Sequence, residues 1–70
     1  MNEKLRLARI ERNLSELDVC SAIGCDLKTY ENWELGKHIP QGFWRGKLCE
    51  FFGKSLIDLG VNHFIPWLES

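Results

Sequence analysis

Helix stop and start signals recur along this chain at short spacing, and alternating strand patterns are absent, so the chain can fold only as a set of short helices. Leu5, Ala8 and Arg9 stack on one face of a first helix near residues 2–12. Asn13 can end it, because Asn tolerates the left-handed conformation. Ser15 opens a second helix, with Asp18 three residues on as a short-chain capping box. Val19, Cys20 and Ile23 point inward, and Gly24 stops the helix by accepting a positive φ. Asp26 then serves as N-cap for a third helix at about 27–35, with Tyr30 and Trp33 on its buried face and Gly36 beyond its end. Pro40 resets the chain before a fourth helix from about Gln41 to Phe52, which ends at Gly53. Ser55 and Asp58 repeat the cap pattern for a short fifth helix near 56–59. The expected fold is all-α, a compact five-helix domain whose second and third helices, joined by a glycine and a short turn, form a helix-turn-helix.

Seventy residues make one domain at most, and a core this small must be densely apolar. An apolar share of 44% with eight aromatics meets that need. At helical spacing, Tyr30, Trp33, Phe51 and Phe52 read as core rather than as a base-stacking platform.

A catalytic cleft of ordinary size does not fit easily into so small a body. His38 and His63 have no carboxylate or cysteine set at ligand or triad spacing, and Cys49 sits mid-helix without an activating base. Cys20, Cys25 and Cys49 form no C-x-x-C pair and read as reduced, buried thiols. The chain is therefore expected not to be an enzyme and to carry no metal, cofactor or small-molecule substrate. No secretory leader and no apolar run long enough for a bilayer are visible, which predicts a cytoplasmic protein without a membrane partner.

The formal charge of −1 is unusual for a nucleic-acid-binding domain, but the charges are unevenly placed. Residues 1–12 carry Lys4, Arg6, Arg9 and Arg12 against Glu3 and Glu11, and residues 35–54 carry Lys37, Arg45, Lys47 and Lys54 against Glu50. Between them Glu16, Asp18, Asp26, Glu31 and Glu34 face only Lys28. A surface for phosphate must come from the basic flanks.

The run LRLARIERNLSELDVCSAIGCDLKTYENWELGKHIP resembles the Cro/repressor (XRE-like) helix-turn-helix family. Arg9, Leu14-Ser15, Ile23-Gly24, and Trp33-Glu34-x-Gly36-Lys37 followed by Pro40 fall in register, and Leu48, Phe52, Gly53, Ser55 and Leu59 keep the later spacing. The resemblance covers about residues 4–60 and implies a lambda-repressor-like DNA-binding domain over 1–60, with an apolar tail over 61–70. The tail's Phe64, Ile65, Trp67 and Leu68 are expected to fold back, join a dimer contact or begin a further domain. The segment KLCEFFGKSLIDLG is similar to a bacterial subset in which the domain heads large signalling proteins.

Carried over position by position, the resemblance implies sequence-specific binding of double-stranded DNA, as a transcriptional regulator or as the DNA-targeting part of a larger signalling protein. Leu27, Lys28, Thr29 and Asn32 would meet base edges in the major groove. Arg6, Arg12, Lys37 and His38 would meet phosphates, aided by backbone N–H groups at the start of the fourth helix. Arg45 and Lys47 read equally well as solvated surface. Arg9 and Glu34 would form a partly buried structural ion pair. A two-fold homodimer suits the family, although no dedicated dimerisation element is legible. Glu16 departs from the family's usual Gln, and with Asp26 and Glu31 it opposes phosphate. That departure supports the rival expectation, a protein–protein interaction module that kept the fold and lost DNA binding.

Overall fold

The computed structural model describes residues 1–62, which form five α-helices and no strand. They are α1 (Glu3–Glu11), α2 (Glu16–Ile23), α3 (Leu27–Leu35), α4 (Gly42–Phe52) and α5 (Leu56–Leu59). The tail residues Phe64, Ile65, Trp67 and Leu68, and His63, lie outside the described residues.

Each helix begins where a cap residue satisfies or frames the free N–H groups of the first turn. Asn2 starts α1 by accepting the Leu5 N–H at 3.0 Å. Ser15 starts α2 with a reciprocal box: its Oγ accepts from Asp18 N at 3.0 Å, and its own N–H donates to Asp18 Oδ2 at 2.8 Å. Ser55 Oγ does the first half of this for α5, accepting from Asp58 N at 3.1 Å. Asp26 and Gln41 hold the N-cap positions of α3 and α4 by extended backbone alone, without a side-chain cap bond.

The five helix ends share one device. A residue in the left-handed region (Asn13, Gly24, Gly36, Gly53 or Gly60) turns the chain, and the next N–H reaches back five residues to a carbonyl left free by the last turn. These bonds run from Leu14 to Arg9, Cys25 to Cys20, Lys37 to Asn32, Lys54 to Cys49 and Val61 to Leu56, at 3.0–3.3 Å. With every end closed this way, the connections stay short and the helices must fold against one another.

α3 packs on α2 and α1, α5 packs on α1, and α4 closes the bundle against α2 and α5. The core they enclose is Leu5, Ala8, Val19, Cys20, Ile23, Tyr30, Trp33, Leu48, Phe52, Leu59 and Val61. Burying each large apolar side chain contributes about 1.5–3 kcal/mol. Val61, expected in the apolar tail, is 1% exposed and closes the core beside Leu59. Trp44 packs its ring 6.0 Å from that of Trp33, whereas Phe43 is 67% exposed.

Arg9 and Glu34 tie the first helix to the third. Arg9 Nε donates to Glu34 Oε2 at 2.6 Å and Nη2 donates to Oε1 at 3.1 Å, while Nη1 donates to the Leu14 carbonyl at 2.9 Å. The side chains are only 14% and 6% exposed, so the pair is strongly desolvated and its charges depend on each other. Losing one partner strands the other. Glu34→Ala is expected to lower the unfolding free energy by about 3 kcal/mol in urea titrations, and Arg9→Met combined with Glu34→Met to cost clearly less than the two single changes summed.

Candidate functional site

The α2–turn–α3 unit is set by Gly24 and Cys25. Gly24 sits at φ +88°, and its N–H and that of Cys25 both return to the Cys20 carbonyl, at 2.8 and 3.0 Å. This fixes where α3 emerges. Tyr30, Trp33 and Glu34 face inward, so Lys28, Asn32 and Leu35, spaced four and three apart, make the outward stripe.

Lys28 on that stripe is exposed and Asn32 is half-exposed. Leu27, at 39% exposure, lies on one flank with the half-exposed Glu31. Thr29 is half-buried on the other flank, where it lines a groove of about 600 Å³ with Trp33, Lys37, His38, Ile39, Gln41 and Trp44. The four residues expected at bases thus divide between an outward stripe, its acidic flank and the groove. Leu35, at 47% exposure, completes the stripe. Nothing in the local pattern marks Leu35 as part of this stripe, because an apolar residue at a helix end carries no polar signal.

Lys37 and His38 follow α3 directly, both exposed, with their backbone N–H groups bonded to the Asn32 carbonyl at 3.0 and 3.4 Å. Those bonds hold the loop while leaving the side chains on the rim of the groove. The first turn of α4 opens beside them without a side-chain cap, so its free N–H groups present partial positive charge there. Arg6 is half-exposed on α1, one turn before Arg9.

Arg12, read from the sequence as a phosphate contact, has its fork committed elsewhere. Nη1 donates to the Phe51 carbonyl at 2.8 Å and Nη2 to the Phe52 carbonyl at 2.9 Å, with the guanidinium 5.6 Å from both ring centroids. It satisfies the C-terminal carbonyls of α4 and complements that end of the helix dipole. Lys47 lies 5.7 Å from the Phe43 ring centroid.

Glu16 stands in the first turn of α2, half-buried, with its carboxyl beside Glu34. Burial pushes its pKa above the ordinary value, Glu34 adds to the rise, and Arg9 offsets part of it. Burial also pushes the Tyr30 phenol far up, with the nearby Glu34 carboxylate adding to it, so the phenol stays neutral. The Tyr30 hydroxyl finds no hydrogen-bond partner among the described residues.

Cys20 is buried, and burial raises the Cys25 thiol to about 11 and that of Cys49 in the same direction, which keeps these two protonated and unreactive at neutral pH. Among the described residues no group of three or more His, Cys, Asp or Glu side chains is arranged to hold a metal, and no helix is long and apolar enough to cross a membrane.

The raised pKa of Glu16 means that the folded protein holds its proton more tightly than the unfolded chain does. Its ionisation therefore costs stability above the raised value, and that cost fades as pH falls toward 4.5. Asp18 behaves oppositely: the Ser15 N–H, then its hydroxyl, hold the carboxyl low, so its contribution is present at neutral pH and lost on acidification. Glu16→Gln should gain stability relative to the parent between about pH 4 and pH 7 in urea titrations; a difference that stays flat or falls with pH would contradict this picture.

No protein-family model matches the chain, and no solved structure matches it. It is similar to the cryptic phage CTXphi transcriptional repressor RstR of Vibrio cholerae, at 33% identity over 58 residues, covering 83% of this chain and 52% of the relative. The chain thus spans about half the length of the curated relative it matches, and that relative is a transcriptional repressor.

Proposed function

We propose that this chain is a non-enzymatic, cytoplasmic regulator that binds double-stranded DNA by laying α3 in the major groove. The observation that carries the reading is the outward stripe Lys28–Asn32 on a helix locked by Arg9–Glu34, with Lys37 and His38 on the rim beyond its end. The similarity to a repressor points the same way.

In this reading Asn32 pairs with adenine N6 and N7, and Lys28 donates to guanine O6 or N7. Leu27 and Thr29 give apolar contact from the flanks, Thr29 nearest the backbone side of the groove. Lys37, His38, Arg6 and the first N–H groups of α4 take phosphates, while Arg12 stays at its post on α4. Two copies on half-sites one helical turn apart would read a two-fold site. Glu16, turned toward Glu34 and Arg9, is partly withdrawn from the phosphate path. Glu31 remains beside Asn32 and suits a cytosine N4 donor.

Binding to a random duplex, measured against salt, should give a log–log slope of about −4 per domain. Lys37→Ala should weaken all duplexes alike and reduce the slope by about 1. Asn32→Ala should cost about 1–3 kcal/mol on a selected site and relax the preference at one base pair. Absence of duplex binding at about 50 µM in low salt, with the fold intact by circular dichroism, would sink this reading and favour the protein-interaction module, to which the acidic Asp26 and Glu31 are suited.

A further inference from the structure

Asn2 joins three helix ends. Its Oδ1 accepts the Leu5 N–H at 3.0 Å and so starts α1. Its Nδ2 donates to the carbonyls of Leu59 at 3.0 Å and Gly60 at 3.2 Å, which close α5. Its backbone N–H donates to the Glu34 carbonyl at 2.7 Å, in the last turn of α3. The fit is tight on both sides. A Cβ placed on Gly60 would lie 2.8 Å from Asn2 Oδ1, and one on Gly36 would lie 3.2 Å from the Met1 backbone nitrogen. Both glycines also have positive φ, so side chains are disfavoured there twice over.

We propose that Asn2 is a positioning residue for α3, and, resting on the DNA-binding reading, for the contacts made by Asn32, Lys37 and His38. The side chain anchors the Met1–Asn2 segment to α5, and that anchor holds the backbone N–H against the Glu34 carbonyl. Glu34 is thereby gripped twice, by Arg9 through its carboxylate and by Asn2 through its carbonyl. The first grip holds the side of α3 and the second holds its end. The loop that carries Lys37 and His38 starts two residues beyond that carbonyl, so its position follows from the second grip. An asparagine is required because one side chain must accept from a helix start and donate to a helix end.

Two variants separate these roles. Asn2→Asp and Asn2→Ser both keep an oxygen for the Leu5 N–H, so α1 still begins at Glu3. Aspartate has no donor for α5 and sets a carboxylate against its carbonyls, and serine is too short to reach them. Amide hydrogen exchange should speed up about tenfold at Asn2, Lys37 and His38 in both variants, with Val19 through Ile23 unchanged. Affinity for a duplex selected from a random pool by the parent protein should fall about tenfold, while affinity for random duplex stays the same. Unchanged exchange at the end of α3, or an equal rise across all helices, would overturn the proposal. So would unchanged discrimination between selected and random duplex in variants whose exchange has risen. If the parent binds no duplex, the DNA-binding reading fails by itself, and the exchange pattern still decides whether Asn2 positions α3.

Discussion

The bidentate pair between Arg9 and Glu34 is the constraint on which the geometry of this domain depends. A bundle of helices this short has little apolar area with which to fix the angle of any one of them. A fork-to-carboxylate contact supplies direction as well as energy, because two parallel bonds are made only at one mutual orientation. Arg9 adds a third bond to the Leu14 carbonyl, so the same guanidinium also holds the turn between α1 and α2. Every residue of the outward stripe on α3 inherits its position from this lock. The pair is nearly dry, and its contribution is best understood as specificity of arrangement rather than as a large net stabilisation.

Around that lock, the domain economises on chain. Each described helix is closed by the same left-handed turn with a bond reaching back five residues, and the first four closures keep the connections to α2, α3, α4 and α5 short. The side chains flanking these turns are put to different uses. At the end of α2 the residues before and after the turn, Ile23 and Cys25, both pack into or against the core. At the end of α3 the turn delivers Lys37 and His38 to the rim of a groove. Arg12 reaches from just beyond α1 to the last carbonyls of α4 and over the Phe51 and Phe52 rings, which ties the first and fourth helices.

Net charge is a poor guide to such a molecule. The formal −1 includes carboxylates that are turned inward or bound locally, among them Glu34 in its pair, Asp18 in its capping box and Glu16 against Glu34. The cations are likewise divided: Arg9 and Arg12 serve the fold, while Lys28 and Lys37 remain at the surface. What a phosphate backbone would meet is the surface remainder, and over a distance of about 8–10 Å it is the local arrangement that matters.

The sequence by itself determined where helices start and stop. Ser15, Gly24, Gly36, Gly53 and Ser55 act through their own backbone preferences and their nearest neighbours, so the boundaries of α2, α3 and α5 were legible residue by residue. The inward faces of α2 and α3 followed from periodicity, as Val19, Cys20, Ile23, Tyr30 and Trp33 show. Tertiary structure decided what depends on residues far apart in the chain. Asn2 meets Glu34 and Leu59, and Arg12 meets Phe51 and Phe52, through contacts that no local pattern encodes. Val61 belongs to the core only because α5 brings it back under α1, and Thr29 faces a groove only because α4 stands beside it. Local propensity sets the ends of helices, but the surface a helix presents is whatever its neighbours leave uncovered.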